Sequence, residues 1–213
     1  MINSQMYVIG GLPLKADLIE YHHWNTMSKS FTALVQEMRT CRLCEKHLEP
    51  NPVFQLSRKA SILIAGQAPG IKVHESGIPF TDPSGDRLRD WMGVSKDIFY
   101  NANKIAILPM GFCYPGKGKS GDLPPRKECA LAWRDDIIMA MPNIQLTLVI
   151  GSYAMDWHLG RTRKQNLTDT VKAWQSYTPG IIPLPHPSPR NNIWLSKNRW
   201  FEDDVVPCLQ KRK

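Results

Sequence analysis

Apolar residues recur along the chain in short runs separated by longer stretches of mixed polarity. Four runs, each of about five residues, are apolar nearly throughout and are bounded by turn residues, as buried strands are. Because these runs alternate with helical patterns, the sequence predicts an α/β fold with a mainly parallel, four-stranded sheet. The predicted strands are SILIA at 61–65, KIAILPM at 104–110, LTLVI at 146–150 and GIIPLP at 180–185.

The stretches between these strands carry apolar residues at the spacing that is typical of amphipathic helices. Ser30 and Ser84 are the expected N-caps of the first two helices, and Leu131 is expected on the buried face of the third. The last helix is expected to be interrupted near Pro207, because proline cannot donate a backbone hydrogen bond. The predicted helices lie at 30–41, 85–93, 126–141, 151–160, 166–177 and 194–213.

Length and composition are those of an ordinary globular protein. A chain of 213 residues favours one domain, so we expect a single domain at 28–213 after an N-terminal extension at 1–27. No apolar run approaches the roughly 20 residues of a membrane span. The short apolar stretch near the N-terminus is not preceded by a basic region, which argues against a signal peptide. These features predict a cytoplasmic protein without membrane contact.

Positive charge is the clearest bias in the composition. The net charge is +8 and the isoelectric point is about 9.3. This balance favours a polyanionic partner, above all nucleic acid, although a basic solvated surface would give the same composition. The excess is not concentrated in one run of the sequence.

The five cysteines have a spacing that suggests metal binding. Cys41 and Cys44 form a C-x2-C pair, which can hold one metal centre, and thiolates favour zinc or an iron–sulfur cluster. Cys113 and Cys129 are further apart and would reach the same centre only through folding. The alternative is that these cysteines are small buried apolar residues. A disulfide framework is not expected in a cytoplasmic protein.

Three loops follow predicted strands and are rich in glycine or proline. They are GQAPG at 66–70, PMGFCYPGKGKSGD at 109–122 and PHPSPRNN at 185–192. Ligands of parallel sheets bind at the carboxyl ends of the strands, where these loops lie. The alternating prolines of the third loop predict a stiff, extended segment that presents His186 and Arg190. A rigid surface connection is the alternative interpretation.

The motifs GQAPG and GIPF, followed late in the chain by HPSP, resemble those of the uracil-DNA glycosylase superfamily. The similarity is closest to family 4, the iron–sulfur uracil-DNA glycosylases, and spans about Phe31 to Trp200. It implies a three-layer α/β/α sandwich. It also implies a monomeric, monofunctional DNA glycosylase that excises uracil or another modified or damaged base in base-excision repair. Finally, it implies that Cys41, Cys44, Cys113 and Cys129 bind a [4Fe-4S] cluster, with zinc as the alternative.

The resemblance also implies roles for individual residues. His186 would donate a hydrogen bond to the departing base, and Phe80 would stack on the flipped base. Gln67 would hold the attacking water together with Asp82 or His74. The remaining base-pocket residues would be Gly66, Ala68, Pro69, Gly70 and Pro109. The residues expected to contact DNA are Pro187, Ser188, Arg190, Asn191, Lys117 and Lys119.

The chain departs from the family 4 motifs at three places. Gln67 replaces the usual Glu, and Val73 and His74 replace the usual Glu-Asp pair. Pro109 stands where the family places its uracil-reading Asn, so the excised base is left open. Two other functions also remain open. One is a non-catalytic nucleic-acid-binding or damage-sensing relative, and the other is a metal-cluster protein that acts on a nucleotide or a small molecule.

Overall fold

The centre of the fold is a parallel sheet built from the four apolar runs. The computed structural model describes residues 29–212, so the predicted extension at 1–27 lies outside the described residues. The sheet order is β2-β1-β5-β6, and all neighbouring strands are parallel. A separate antiparallel pair joins β3 to β4. The strands are β1 (Ile62–Ala65), β2 (Ile105–Ile107), β3 (Lys117–Gly118), β4 (Gly121–Asp122), β5 (Leu146–Ile150) and β6 (Ile181–Leu184).

Helices cover both faces of this sheet, so the predicted α/β/α sandwich is confirmed. Successive strand residues point to opposite faces, and Ile64 and Leu63 accordingly belong to two different apolar clusters. The Leu63 cluster includes residues of α1 and α5, and the Ile64 cluster includes residues of α3, α6, α7, α8 and α9. The helices are α1 (Phe31–Arg39), α2 (Ile71–Ser76), α3 (Pro83–Met92), α4 (Lys96–Phe99), α5 (Lys127–Met139), α6 (Ser152–Leu159), α7 (Leu167–Lys172), α8 (Asn192–Lys197) and α9 (Val206–Gln210).

One predicted helix cap is confirmed and the other is wrong. The Ser30 hydroxyl accepts a hydrogen bond from the backbone N–H of Ala33 (3.2 Å) and caps α1. The N-cap of α3 is Asp82, whose Oδ1 accepts from the backbone N–H of Gly85 (3.4 Å). Proline is favoured at the first helical position, so α3 begins at Pro83 and places Ser84 inside its first turn.

Two further expectations about helices are wrong. Leu131 is 74% exposed, because it lies outside the buried face of α5. That face includes Ala130, Ile137 and the fully buried Arg134, at a position where the sequence pattern predicts no buried residue. The final helical region is interrupted at Asn198 and not at Pro207. One π-helical turn at Phe201–Val205 leads directly into α9. Pro207 is the second residue of α9 and does not break this helical run.

The loop before α3 holds Phe80 in a strained backbone conformation. Phe80 has φ of 57°, in the left-handed region that residues other than glycine rarely adopt. Its carbonyl oxygen accepts hydrogen bonds from the Tyr100 hydroxyl (3.0 Å) and from Arg89 Nη1 (3.3 Å). The same oxygen lies 1.8 Å from the point where a Cβ on Gly85 would stand. Glycine at position 85 therefore lets α3 pass directly under the Phe80 peptide.

This contact predicts the effect of Gly85→Ala on stability. Alanine in a helix is ordinarily favoured over glycine by about 1 kcal/mol. Here the added methyl group would overlap the Phe80 carbonyl, so we expect the free energy of unfolding to fall by about 1–3 kcal/mol, as for overpacking. Denaturant titration measures the change. Gly180→Ala is the matched control, because nothing lies within 4 Å of a Cβ there. A Gly85→Ala protein as stable as the wild type would contradict the described packing.

Candidate active site

A cleft of about 560 Å³ opens at the carboxyl ends of β1, β2 and β6. It is bounded by the glycine turn (66–70), the loop before α3, the β3–β4 hairpin (117–122) and the histidine loop (186–192). The structure thus brings together segments that are far apart in the sequence. The predicted site residues that line the cleft are Gly66, Gln67, Ala68, Pro69, Gly70, Phe80, Asp82, Pro109, His186, Ser188, Arg190 and Asn191.

The glycine turn is anchored to the backbone that follows β2. The Gly66 carbonyl accepts from the N–H of Met110 (2.9 Å), and the Gln67 carbonyl accepts from the N–H of Gly111 (3.0 Å). These bonds continue the pairing of β1 with β2 beyond the end of the strands. They hold the turn rigidly while the Gln67 side chain stays partly exposed beside the cleft.

The Phe80 ring lies against the glycine turn. Its Cζ atom is 3.6 Å from the position that a Cβ on Gly66 would occupy. On its other side the ring meets Phe99 edge to face, with the centroids 6.0 Å apart. The ring is therefore fixed from two sides and remains partly exposed along the cleft, where it can cover a flat group.

His186 is held in one protonation state by a backbone hydrogen bond. Its Nδ1 accepts from the N–H of Ser188 (3.2 Å), so the neutral ring carries its proton on Nε2. Burial lowers the pKa of His186, and the charges of Asp82 and Asp122 only partly oppose that effect. At neutral pH the ring is thus an uncharged donor through Nε2.

The histidine loop is fastened by two polar side chains. The Asn191 amide donates to the His186 carbonyl (2.7 Å). Arg87, on α3, donates to the Ser188 carbonyl (3.1 Å) and to Oδ1 of Asn192 (2.8 Å). Sequence reasoning missed Arg87, because its partner Ser188 is 101 positions away and no local pattern connects them.

Asp82 lines the cleft but is engaged as a helix cap. Besides its bond from Gly85, its Oδ2 accepts from the Ser84 hydroxyl (2.8 Å). His74, the other predicted water-activating residue, is not among the residues that line the cleft. Its position on α2 turns the ring toward Glu49, with Nε2 3.8 Å from Oε2, and the ring is buried there.

The hairpin supplies a carboxylate that the sequence analysis missed. Asp122 lines the cleft, and its Oδ2 is 3.8 Å from the position of a Cβ on Gly70. Arg190 of the histidine loop reaches this hairpin, since its Nη1 is 3.1 Å from the position of a Cβ on Gly121. Lys117 and Lys119 are exposed on the hairpin but do not line the cleft. The glycine-rich sequence 116–121 was the available signal for a turn.

The wall at Pro109 is fixed from behind by a buried arginine. Arg134 Nη1 donates to the carbonyls of Leu108 (3.1 Å) and Pro109 (2.9 Å). Its Nη2 lies 2.8 Å from Nε2 of His158. Burial and the Arg134 charge lower the pKa of His158 to about 3, so His158 is neutral and accepts this bond. Pro109 has no N–H and no polar side chain, so this wall has no donor at that residue.

A second, small cavity is lined by four of the five cysteines. The indole N–H of Trp133 donates to Sγ of Cys41 (3.3 Å), and the backbone N–H of Phe112 donates to Sγ of Cys129 (3.4 Å). Arg126 also lines this cavity. We call it the cysteine cavity, and its cysteines are Cys41, Cys44, Cys113 and Cys129.

The buried thiols of this cavity are poor nucleophiles. Burial raises the pKa of Cys113 to about 11 and that of Cys129 to about 12. Within residues 29–212, no group of three or more His, Cys, Asp or Glu side chains is placed to hold a metal ion. Cys208 does not line the cavity.

Among residues 29–212, no helix is long and apolar enough to cross a membrane.

Comparison with known families adds one finding. The model of the family described as Uracil DNA glycosylase superfamily matches residues 53–210, more than half of the chain. The matched segment includes the glycine turn, the histidine loop, Cys113 and Cys129. It begins after Cys41 and Cys44, so it does not extend to the C-x2-C pair.

The environment of His186 predicts its titration. The ordinary histidine pKa is about 6.5; we expect the His186 pKa to lie below that value, with the proton of the neutral ring on Nε2. Nitrogen-15 NMR of histidine-labelled protein measures both properties, and the spectrum of His186→Gln assigns the signal. A midpoint above the ordinary value, or a proton on Nδ1, would be inconsistent with the bond from Ser188.

Proposed function

Because the chain belongs to the uracil-DNA glycosylase superfamily, we propose that it excises uracil or another modified base from DNA by hydrolysing the N-glycosidic bond. The observation that carries this proposal is the neutral His186, which lines the same cleft as Gln67 and Phe80. These residues supply three requirements of N-glycosidic bond hydrolysis. They are a hydrogen-bond donor for the departing base, a polar group that holds water and a surface on which the flipped base can stack.

Base binding would rely on the glycine turn and Phe80. A glycosylase must take the base out of the stack and hold it in a fitted pocket. The Phe80 ring, fixed between Gly66 and Phe99, offers a partly exposed edge of the cleft on which a base can stack. The rigid turn would keep the base at a constant distance from His186.

Bond breaking would be assisted by His186. As the bond from the sugar to the base breaks, its electron pair moves to the base and positive charge develops on the sugar. The Nε2–H of a neutral imidazole can donate to the base oxygen that gains the negative charge. Removing one such donor from an enzyme ordinarily costs about 2.7–4 kcal/mol of transition-state stabilisation. Gln67 would hold the attacking water, although an amide cannot accept its proton.

The choice of base would not depend on an asparagine at the end of β2. Pro109 occupies that wall, and its carbonyl is already bonded to Arg134. An amide that reads the pyrimidine edge is therefore absent at this position. We propose that the substrate range includes modified bases other than uracil, with the protein acting in base-excision repair.

DNA contact would come from cations around the mouth of the cleft. Arg190 and Lys72 are exposed and line the cleft, and Lys117 and Lys119 are exposed on the adjacent hairpin. Such residues bind phosphates, which position the protein without specifying a base. The proposed reaction is monofunctional, because water and not a lysine is the nucleophile. Lys72 is the amine that lines the cleft. Because it is not expected to attack the sugar, borohydride should trap no covalent adduct between the protein and DNA.

The cysteine cavity would hold a [4Fe-4S] cluster, as in the iron–sulfur branch of the superfamily. Four thiols face one cavity, and N–H groups are directed at two of the sulfurs, as is favourable for cluster thiolates. Arg126 also lines the cavity, where it forms an ion pair with Glu128. A cluster spreads its four ligands over several iron atoms, whereas one zinc ion gathers all four sulfurs at about 2.3 Å. Zinc bound by the same four thiols is the alternative.

The cluster proposal predicts colour, iron content and stability. Anaerobically purified protein should be brown and contain iron. Because metal binding energy contributes to folding energy, loss of the cluster should also lower the unfolding temperature. Cys113→Ser should lose iron and unfold at a lower temperature. Cys208→Ser is the matched control and should keep both properties, since Cys208 lies outside the cavity. Colourless protein with stoichiometric zinc would replace the cluster with zinc, and metal-free protein of ordinary stability would end the proposal.

The proposed role of His186 predicts a separation of binding from excision. His186→Ala should slow single-turnover excision about 100-fold or more, the range for one lost oxyanion donor, while DNA affinity stays nearly constant. Oligonucleotides that carry a panel of modified bases are incubated with each protein, and alkali then cuts at abasic sites. Wild-type rates in the variant would remove His186 from the mechanism. DNA binding without excision of any base would favour a non-catalytic relative, and absence of DNA affinity at low salt would favour a small-molecule substrate.

A further inference from the structure

We propose that Asp122 is the carboxylate that accepts the proton of the attacking water, an inference that rests on the base excision proposed above. Water becomes a better nucleophile when a positioned base takes its proton. The resemblance pointed to Asp82 or His74 for the attacking water, but His74 does not line the cleft, and Gln67 is an amide that cannot accept a proton.

Within the part of the chain that the structure describes, only Asp82 and Asp122 place carboxylates along the cleft. They differ in how many of their oxygens accept hydrogen bonds. Both oxygens of Asp82 accept hydrogen bonds, from Gly85 and from Ser84, and the residue caps α3. Oδ1 of Asp122 accepts from the Tyr114 hydroxyl at 3.4 Å. No hydrogen bond from a residue in 29–212 reaches Oδ2 of Asp122. That oxygen therefore has its lone pairs available for water.

His186 is also excluded as the proton acceptor. Its Nδ1 lone pair is already used by the N–H of Ser188, and its Nε2 carries a proton. The ring can consequently donate to the base but cannot take a proton from water while it does so. This division of labour assigns His186 to the leaving group and leaves a carboxylate for the nucleophile.

The hairpin fixes where this carboxylate stands. Asp122 pairs with Lys117 across the two strands, and the next N–H, of Leu123, donates to the Gly116 carbonyl (2.8 Å). Oδ2 consequently faces the end of the glycine turn, 3.8 Å from the position of a Cβ on Gly70. Burial lowers the pKa of His186, and the charge of Asp122 opposes that effect only in part; both residues line the cleft. Asp122 and His186 therefore act within one cleft.

The bond between C1′ of the sugar and the base nitrogen breaks, and its electron pair leaves with the base. The oxygen of water bonds to C1′, and one of its protons passes to Oδ2 of Asp122. The base anion takes a proton from solvent, and Asp122 releases its own proton to solvent. The products are the free base and an abasic site, with no further reactant.

Positively charged side chains lie close to Asp122 and would reduce its repulsion from DNA phosphates. Arg190 touches the same hairpin at Gly121, and Lys117 is the cross-strand neighbour of Asp122. Their charges offset the repulsion between the carboxylate and the phosphates. Replacing Asp122 by a neutral residue should consequently leave DNA affinity equal or make it tighter, even as excision is lost.

The test compares Asp122→Asn with wild type in single-turnover excision from the base that wild type releases fastest. We expect the rate to fall about 100-fold or more, within the range for general base catalysis, with equal or tighter DNA binding by fluorescence anisotropy. Asp122→Glu, or Asp122→Ala supplied with formate, should recover part of the rate. Asp97→Asn is the control for charge, because Asp97 is exposed on α4 outside the cleft.

Each other outcome overturns the inference. A wild-type rate in Asp122→Asn shows that no proton acceptor is needed at this position. A loss of excision together with DNA binding, or a loss that neither glutamate nor formate restores, makes Asp122 a structural residue of the hairpin. If wild type itself releases no base from the panel, the proposed function and this inference fail together. If wild type excises and only the Asp122 result fails, the proposed function stands.

Discussion

The hydrogen bond from the Ser188 N–H to Nδ1 of His186 is the interaction on which the proposed chemistry depends. It places the proton of the imidazole on Nε2, and burial keeps the ring uncharged at neutral pH by lowering its pKa. A ring in this state can stabilise a departing anion but cannot also act as a base. The roles proposed for Gln67 and for Asp122 follow from that restriction. Gln67 can orient water, and a carboxylate must take the proton if one is transferred.

The rest of the molecule supports this bond through contacts between distant segments. Arg87 of α3 holds the Ser188 carbonyl, so the helix that begins beneath Phe80 also fixes the histidine loop. Cys113 and Cys129 are the two cysteines that flank the hairpin carrying Asp122 in the sequence. A metal centre bound by both would restrain that hairpin as well as stabilise the fold.

Local patterns in the sequence predicted the sheet but not the contacts between its loops. The four strands were predicted because buried parallel strands are apolar on both faces, and their carboxyl ends correctly located the glycine turn and the histidine loop at one cleft. Leu131 was misplaced because a pattern of apolar residues cannot anticipate a buried, fully bonded Arg134. Arg87 and Asp122 were missed for a related reason, since charged side chains resemble ordinary surface residues until folding supplies their partners.

The most direct test of the central claim is a comparison of leaving groups. Single-turnover rates of wild type and His186→Ala would be measured for a base that the protein excises and for its 5-fluoro derivative, which leaves more readily because it is more acidic. If Nε2 of His186 stabilises the departing anion, the substitution slows release of the less acidic base by the larger factor. Equal factors for the two bases would contradict the account, because the imidazole would then act on a step before the bond breaks.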